Sequence, residues 1–129
     1  MTENWVPFEE GEYIVVDALL TTPDGMAVGV DKAYIEVYKG PKGLRRLRGS
    51  GVIRPALMVE LHEENENLDL LLDLGGKYKY RLENPAIHSG KVFAPDVNAL
   101  FQFYPSEPWE KLSEPEYDEL VGRLNVLNR

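Results

Sequence analysis

Apolar and polar residues alternate with a period of two along most of this chain, and the spacing turns helical only near its end. The run 12–20, EYIVVDALL, is apolar on both faces with only Asp17 interrupting it, the pattern of a strand in the middle of a sheet. Thr22-Pro23-Asp24-Gly25 supplies turn chemistry, because proline presets the first central φ and glycine accepts the positive φ that closes a bulged hairpin. The return segment 26–38 is long enough to bend, and Gly29 with Asp31-Lys32 marks a bulge. In its second half Ala33, Ile35 and Val37 share the face predicted to point inward, with Tyr34, Glu36 and Tyr38 on the other.

After a glycine-rich basic stretch, Pro55 opens ALMVELH, where Leu57, Val59 and Leu61 alternate with Met58, Glu60 and His62, and the polar tract 63–67 closes a hairpin. LDLLLDL is the cleanest alternation in the chain, with Leu68, Leu70, Leu72 and Leu74 on one face and Asp69, Leu71 and Asp73 on the other. Gly75-Gly76 is a turn, and KYKYRL then sets Lys77, Lys79 and Arg81 opposite Tyr78, Tyr80 and Leu82. The segment 86–98 reads as irregular connection with room for one short strand around Lys91 to Phe93, and ALFQFY (99–104) is a strand stopped by Pro105. Ser113-Glu114-Pro115-Glu116 is a capping box, and Tyr117, Leu120, Val121, Leu124 and Leu127 form one apolar stripe that must dock, on its own sheet in the simpler reading.

These elements predict a β-rich α+β domain, a mostly antiparallel barrel or sandwich of about six to eight strands closed off by one C-terminal helix near 114–127. A length of 129 residues with 43% hydrophobic content suits one domain over 12–129, preceded by an arm, 1–11, whose Trp5 and Phe8 should lie across the body. There is no cysteine, which removes disulfides, thiolate metal sites and cysteine nucleophiles. No window approaches the ~18 apolar residues of a membrane span, and the start carries neither a basic nor an apolar leader. A soluble, cytoplasmic protein with no membrane contact is expected.

Charge changes the picture most. Between Glu36 and Glu60 no carboxylate occurs, while 39–54 carries Lys39, Lys42, Arg45, Arg46, Arg48 and Arg54. The remainder holds eight basic against twenty-two acidic residues, so a net charge of -8 divides into +6 and -14. A block of one sign on a body of the other makes a local field that selects partners.

Catalytic signatures are missing. Histidine occurs only at His62 and His88, neither in a metal-binding spacing, and no metal or cofactor is expected. Gly49-Ser50-Gly51 lacks the five-residue pattern and strand-to-helix context of a nucleophile elbow. Gly40-Pro41-Lys42-Gly43 lacks the context of a phosphate clamp. Asp69 and Asp73 read as a solvated face.

The sequence therefore points to a non-enzymatic interaction module, or an accessory or structural subunit, that meets an acidic protein partner or another copy of itself through a basic loop, 39–54. The alternative is a nucleic-acid or nucleotide-binding β-barrel that uses the same loop with Lys77, Lys79 and Arg81 as a second basic surface. Against it stands the acidic body, which repels a polyanion over a Debye length of about 8 Å.

Overall fold

The computed structural model describes residues 9–53, 68–76, 78–83, 85–89, 99–105 and 110–127. The expected arm at its residues 1–8, the strand at 56–62 and the loop at 63–67 lie outside the described residues, as do Arg54, His62 and Lys77. In chain order the strands are β1 (Gly11–Ile14), β2 (Asp17–Thr21), β3 (Met26–Gly29), β4 (Asp31–Lys39), β5 (Arg45–Ile53), β6 (Asp69–Asp73), β7 (Lys79–Leu82), β8 (Ala86–Ser89), β9 (Ala99–Tyr104), β10 (Glu110–Leu112) and β11 (Asn125–Val126), with helix α1 (Glu114–Gly122) before the last. They form a five-stranded sheet, β1-β4-β5-β9-β8, and a six-stranded sheet, β10-β7-β6-β2-β3-β11. The pairings are antiparallel except for β11 on β3.

One core lies between the sheets. Ile35, Val37, Leu47, Ile53 and Phe103 from the five-stranded sheet meet Leu20, Val28, Leu70, Leu72 and Leu82 from the six-stranded one. The architecture is thus a β-rich α+β sandwich rather than a closed barrel. A second, smaller core of Leu19, Leu71, Leu112 and Tyr117, flanked by Leu120, Val121 and Leu124, holds α1 against the outer face of the six-stranded sheet. Strands β2 and β6 therefore bury both faces, which is why Leu70, Leu71 and Leu72 run consecutively. Leu71→Ala is expected to cost about 2–4 kcal/mol in chemical denaturation, and Leu120→Ala less, because Leu120 is only half-buried.

The described residues hold eleven strands, more than the expected six to eight: two segments that read as single elements each divide between the sheets, and β5, β8, β10 and β11 form where no strand was expected. In 12–20 the switch takes one peptide: the Val15 N–H donates to Ala33 O at 3.0 Å and the Val16 N–H to Asp73 O at 2.7 Å. The doubly buried pattern holds for β2 alone; β1 lies at a sheet edge, with Ile14 82% exposed. Segment 26–38 divides likewise at Val30, whose N–H donates to Ala18 O at 2.9 Å. The expected bulge sits at Lys32, where the register of β4 on β5 shifts and φ is 51°. The β2–β3 turn forms as expected, with Gly25 at φ 91° and its N–H donating to Thr22 O.

Helix α1 opens with the expected capping box: Ser113 Oγ accepts from the Glu116 N–H at 3.2 Å, and Glu116 Oε1 accepts from the Ser113 N–H at 3.1 Å. These bonds hold the Glu116 carboxyl below its ordinary value of 4.5. A depressed folded pKa means the contribution is present above the unfolded value and lost as pH falls through the folded one. Ser113→Ala is expected to cost about 1 kcal/mol and, in an NMR pH titration, to move Glu116 only part of the way back up, because the backbone N–H at 113, the larger cause of the depression, still donates to its carboxylate.

The helix ends at Gly122, short of the expected 127. Beyond it the Asn125 N–H donates to Gly25 O and the Leu127 N–H to Ala27 O, both at 2.8 Å. Ladder bonds to β3 replace further helical turns, and Leu127 packs on the main core instead of continuing the stripe.

Candidate functional site

The segment expected as a basic loop, 39–54, is, over its described residues 39–53, the end of β4, a tight turn and β5. Strand β5 pairs with β4 on one side and β9 on the other, so it lies in the middle of the five-stranded sheet. Leu47 and Ile53 supply its inward face, and the glycines that suggested a loop are close-packing positions. A Cβ at Gly49 would lie 1.9 Å from Phe103 Cζ, and one at Gly51 would lie 2.3 Å from Val30 Cγ1.

Only residues 40–44 form the turn. Pro41–Gly43 is a single 3₁₀ turn with Lys42 at φ 62°, and the Gly40 N–H donates to Leu44 O at 2.7 Å. Register sets Lys39 opposite Arg45 and Tyr38 opposite Arg46. The stem of Arg46 folds over Gly40, where a Cβ would lie 2.7 Å from Arg46 Cγ. Lys39, Lys42, Arg45 and Arg46 are thereby gathered at one ordered tip, with Lys39, Lys42 and Arg46 exposed. Among the described residues, Lys39, Lys42 and Arg46 contact no carboxylate.

Arg48 stands apart from them. It points outward one row along, opposite Glu36, to whose Oε1 its Nε donates at 2.7 Å and its Nη2 at 2.5 Å. Its guanidinium lies 5.1 Å from the Tyr38 ring centroid. The hydrogen bond to Glu36, then that carboxylate's charge, raises the Arg48 pKa. This cation belongs to a cross-strand pair and does not join the tip.

Of the second basic surface expected from Lys77, Lys79 and Arg81, the two described residues are held in ion pairs. Lys79 is buried at 8% exposure beneath α1, with its Nζ 3.0 Å from Asp73 Oδ1 and 5.2 Å from the Tyr117 ring centroid. Arg81 donates to Asp69 at 2.9 Å, with Glu110 at 3.8 Å and Glu83 at 4.0 Å, and the Asp69 bond raises its pKa. Both lie on the outer face of the six-stranded sheet, the opposite side of the sandwich from the Arg48 face. Asp69 and Asp73, expected as a wet face, are the counter-charges of this helix-covered layer; Asp73 also accepts from the Gly75 N–H at 2.8 Å.

Sequence reading placed Tyr34, Glu36 and Tyr38 on the outward face of β4 but missed what faces them. Two transverse rows cross the sheet there. Ile14, Tyr34, Ser50, Gln102 and His88 lie in one, by successive pairings of β1, β4, β5, β9 and β8. Glu12, Glu36 and Arg48 lie in the next, with Tyr104 beside them. The cross-strand partners come from distant segments, so no local pattern joins them.

Among the described residues no cluster of three or more His, Asp or Glu could hold a metal ion, and no helix is long and apolar enough to cross a membrane. Compared with protein-family models, curated proteins and solved structures, the chain matches none.

Proposed function

We propose that the protein is a non-enzymatic binding module whose hairpin tip, formed by Lys39, Lys42, Arg45 and Arg46, meets an acidic protein surface, a second copy of this chain included. The observation that carries this reading is the contrast between two kinds of cation. Arg48, Lys79, Arg81 and Arg123 each sit on a carboxylate, whereas Lys39, Lys42 and Arg46 contact none among the described residues. Exposed cations on a turn closed by backbone hydrogen bonds keep their charge for an outside partner.

The nucleic-acid alternative needed Lys79 and Arg81 as a supporting surface, and the helix-covered ion pairs remove that support. Titration with poly-L-glutamate, single- and double-stranded DNA and RNA at about 50 and 200 mM salt separates the two readings. The proposal expects saturable binding to polyglutamate and weaker binding to every nucleic acid. Tighter nucleic-acid binding that falls by orders of magnitude between the two salt concentrations would favour the alternative.

A further inference from the structure

A second feature lies on the outer face of the five-stranded sheet, beyond the hairpin tip. Tyr34, Ser50 and Gln102 from one row and Glu12, Glu36, Arg48 and Tyr104 from the next line a depression of about 300 Å³, at the lower end of the volumes of small-molecule sites. Its origin is steric: Ser50 is the small outward-facing residue of β5, set between strands that carry Tyr34 on one side and Gln102 and Tyr104 on the other. Ser50, at the floor, is 7% exposed, and the walls are largely polar.

The chemistry of the walls narrows the ligand. Both bonds from Arg48 fall on Glu36 Oε1, which leaves Glu36 Oε2 and the outer N–H groups of the guanidinium to a ligand. Gln102 and Ser50 each offer a donor and an acceptor, Glu12 adds a further acceptor, and Tyr34, at 44% exposure, presents an aromatic ring at the rim. An anion would face two carboxylates and one guanidinium. A cationic amine would face the like charge of the Arg48 guanidinium, and an apolar ligand would strip water from polar walls without replacing its hydrogen bonds. A neutral ligand dense in hydroxyls, with a C–H face to lie on tyrosine, satisfies both donors and acceptors. We infer that this depression binds a polyhydroxylated ligand, an oligosaccharide.

The site does not depend on the reading of the hairpin tip, and the test keeps the two apart. The whole protein, labelled with ¹⁵N, is titrated with maltohexaose, cellohexaose and chitohexaose to about 10 mM, with inorganic phosphate and spermidine as charged comparators. At least one sugar is expected to move the Ser50 and Gln102 amides saturably. Its affinity should fall at least about tenfold in Gln102→Ala and in Tyr34→Ala, and change less than about twofold between 50 and 500 mM salt. The tip variant K39E/K42E/R46E should bind the sugar as wild type does. Saturable binding of phosphate or spermidine instead, no saturable shift with any sugar, or unchanged affinity in two folded variants overturns the inference.

Discussion

Phe103→Ala is expected to remove about 3–5 kcal/mol of stability, the largest loss from any single substitution considered for this protein. The ring is fully buried and belongs to the core between the sheets, where it lies over the backbone of Gly49. Gly49→Ala drives a methyl group to 1.9 Å from the ring and should itself cost about 1–3 kcal/mol through overpacking. The double variant discriminates this account from two independent losses. With the ring gone, the alanine methyl partly fills the cavity, so the combined loss should be smaller than the sum by about 0.5–3 kcal/mol in a double-mutant cycle of urea melts. Additive losses would mean that Gly49 is needed for a reason other than Phe103.

That pair also marks where sequence reading stopped. The alternation in LDLLLDL and AYIEVY predicted strands correctly: AYIEVY buries one face, and in LDLLLDL the outer face, though covered by α1 at Leu71, carries Asp69 and Asp73 on either side of it. The capping box and apolar stripe likewise predicted a docked helix starting at Glu114, since its caps are local. The Gly49-Ser50-Gly51 stretch looked like a loop because glycine has the same local meaning at a turn as at a close approach. Only the nonlocal partners, Phe103 and Val30, tell the two apart.

Sheet membership was hidden for a similar reason. Nothing in Tyr13-Ile14-Val15-Val16 breaks a strand, yet the chain changes sheets between the two valines. The pairing of Lys79 with Asp73 follows from the β6–β7 register, so the helix-covered ion pair became visible only with the fold. The charge division was fully legible. Its meaning was not, because Arg48 and Arg46 lie two positions apart on one face and only cross-strand register gives Arg48 a carboxylate.

The second large effect concerns the hairpin tip. Reversing Lys39, Lys42 and Arg46 to glutamate should leave the thermal midpoint nearly unchanged, because exposed charges without a carboxylate contact contribute little to folding. Arg48 is left intact in this design, since a glutamate there would face Glu36 across the ladder and confuse loss of fold with loss of binding. The matched control reverses Lys32, Lys111 and Arg123, which removes the same charge from exposed positions elsewhere.

The most direct measurement is fluorescence anisotropy of labelled poly-L-glutamate against wild type, the tip variant and the control at about 50 mM salt. A localized contact predicts that the tip variant loses at least about tenfold in affinity while the control loses less than about threefold. Equal losses in both variants, or undiminished binding by a folded tip variant, would contradict the claim that the hairpin tip is the contact surface.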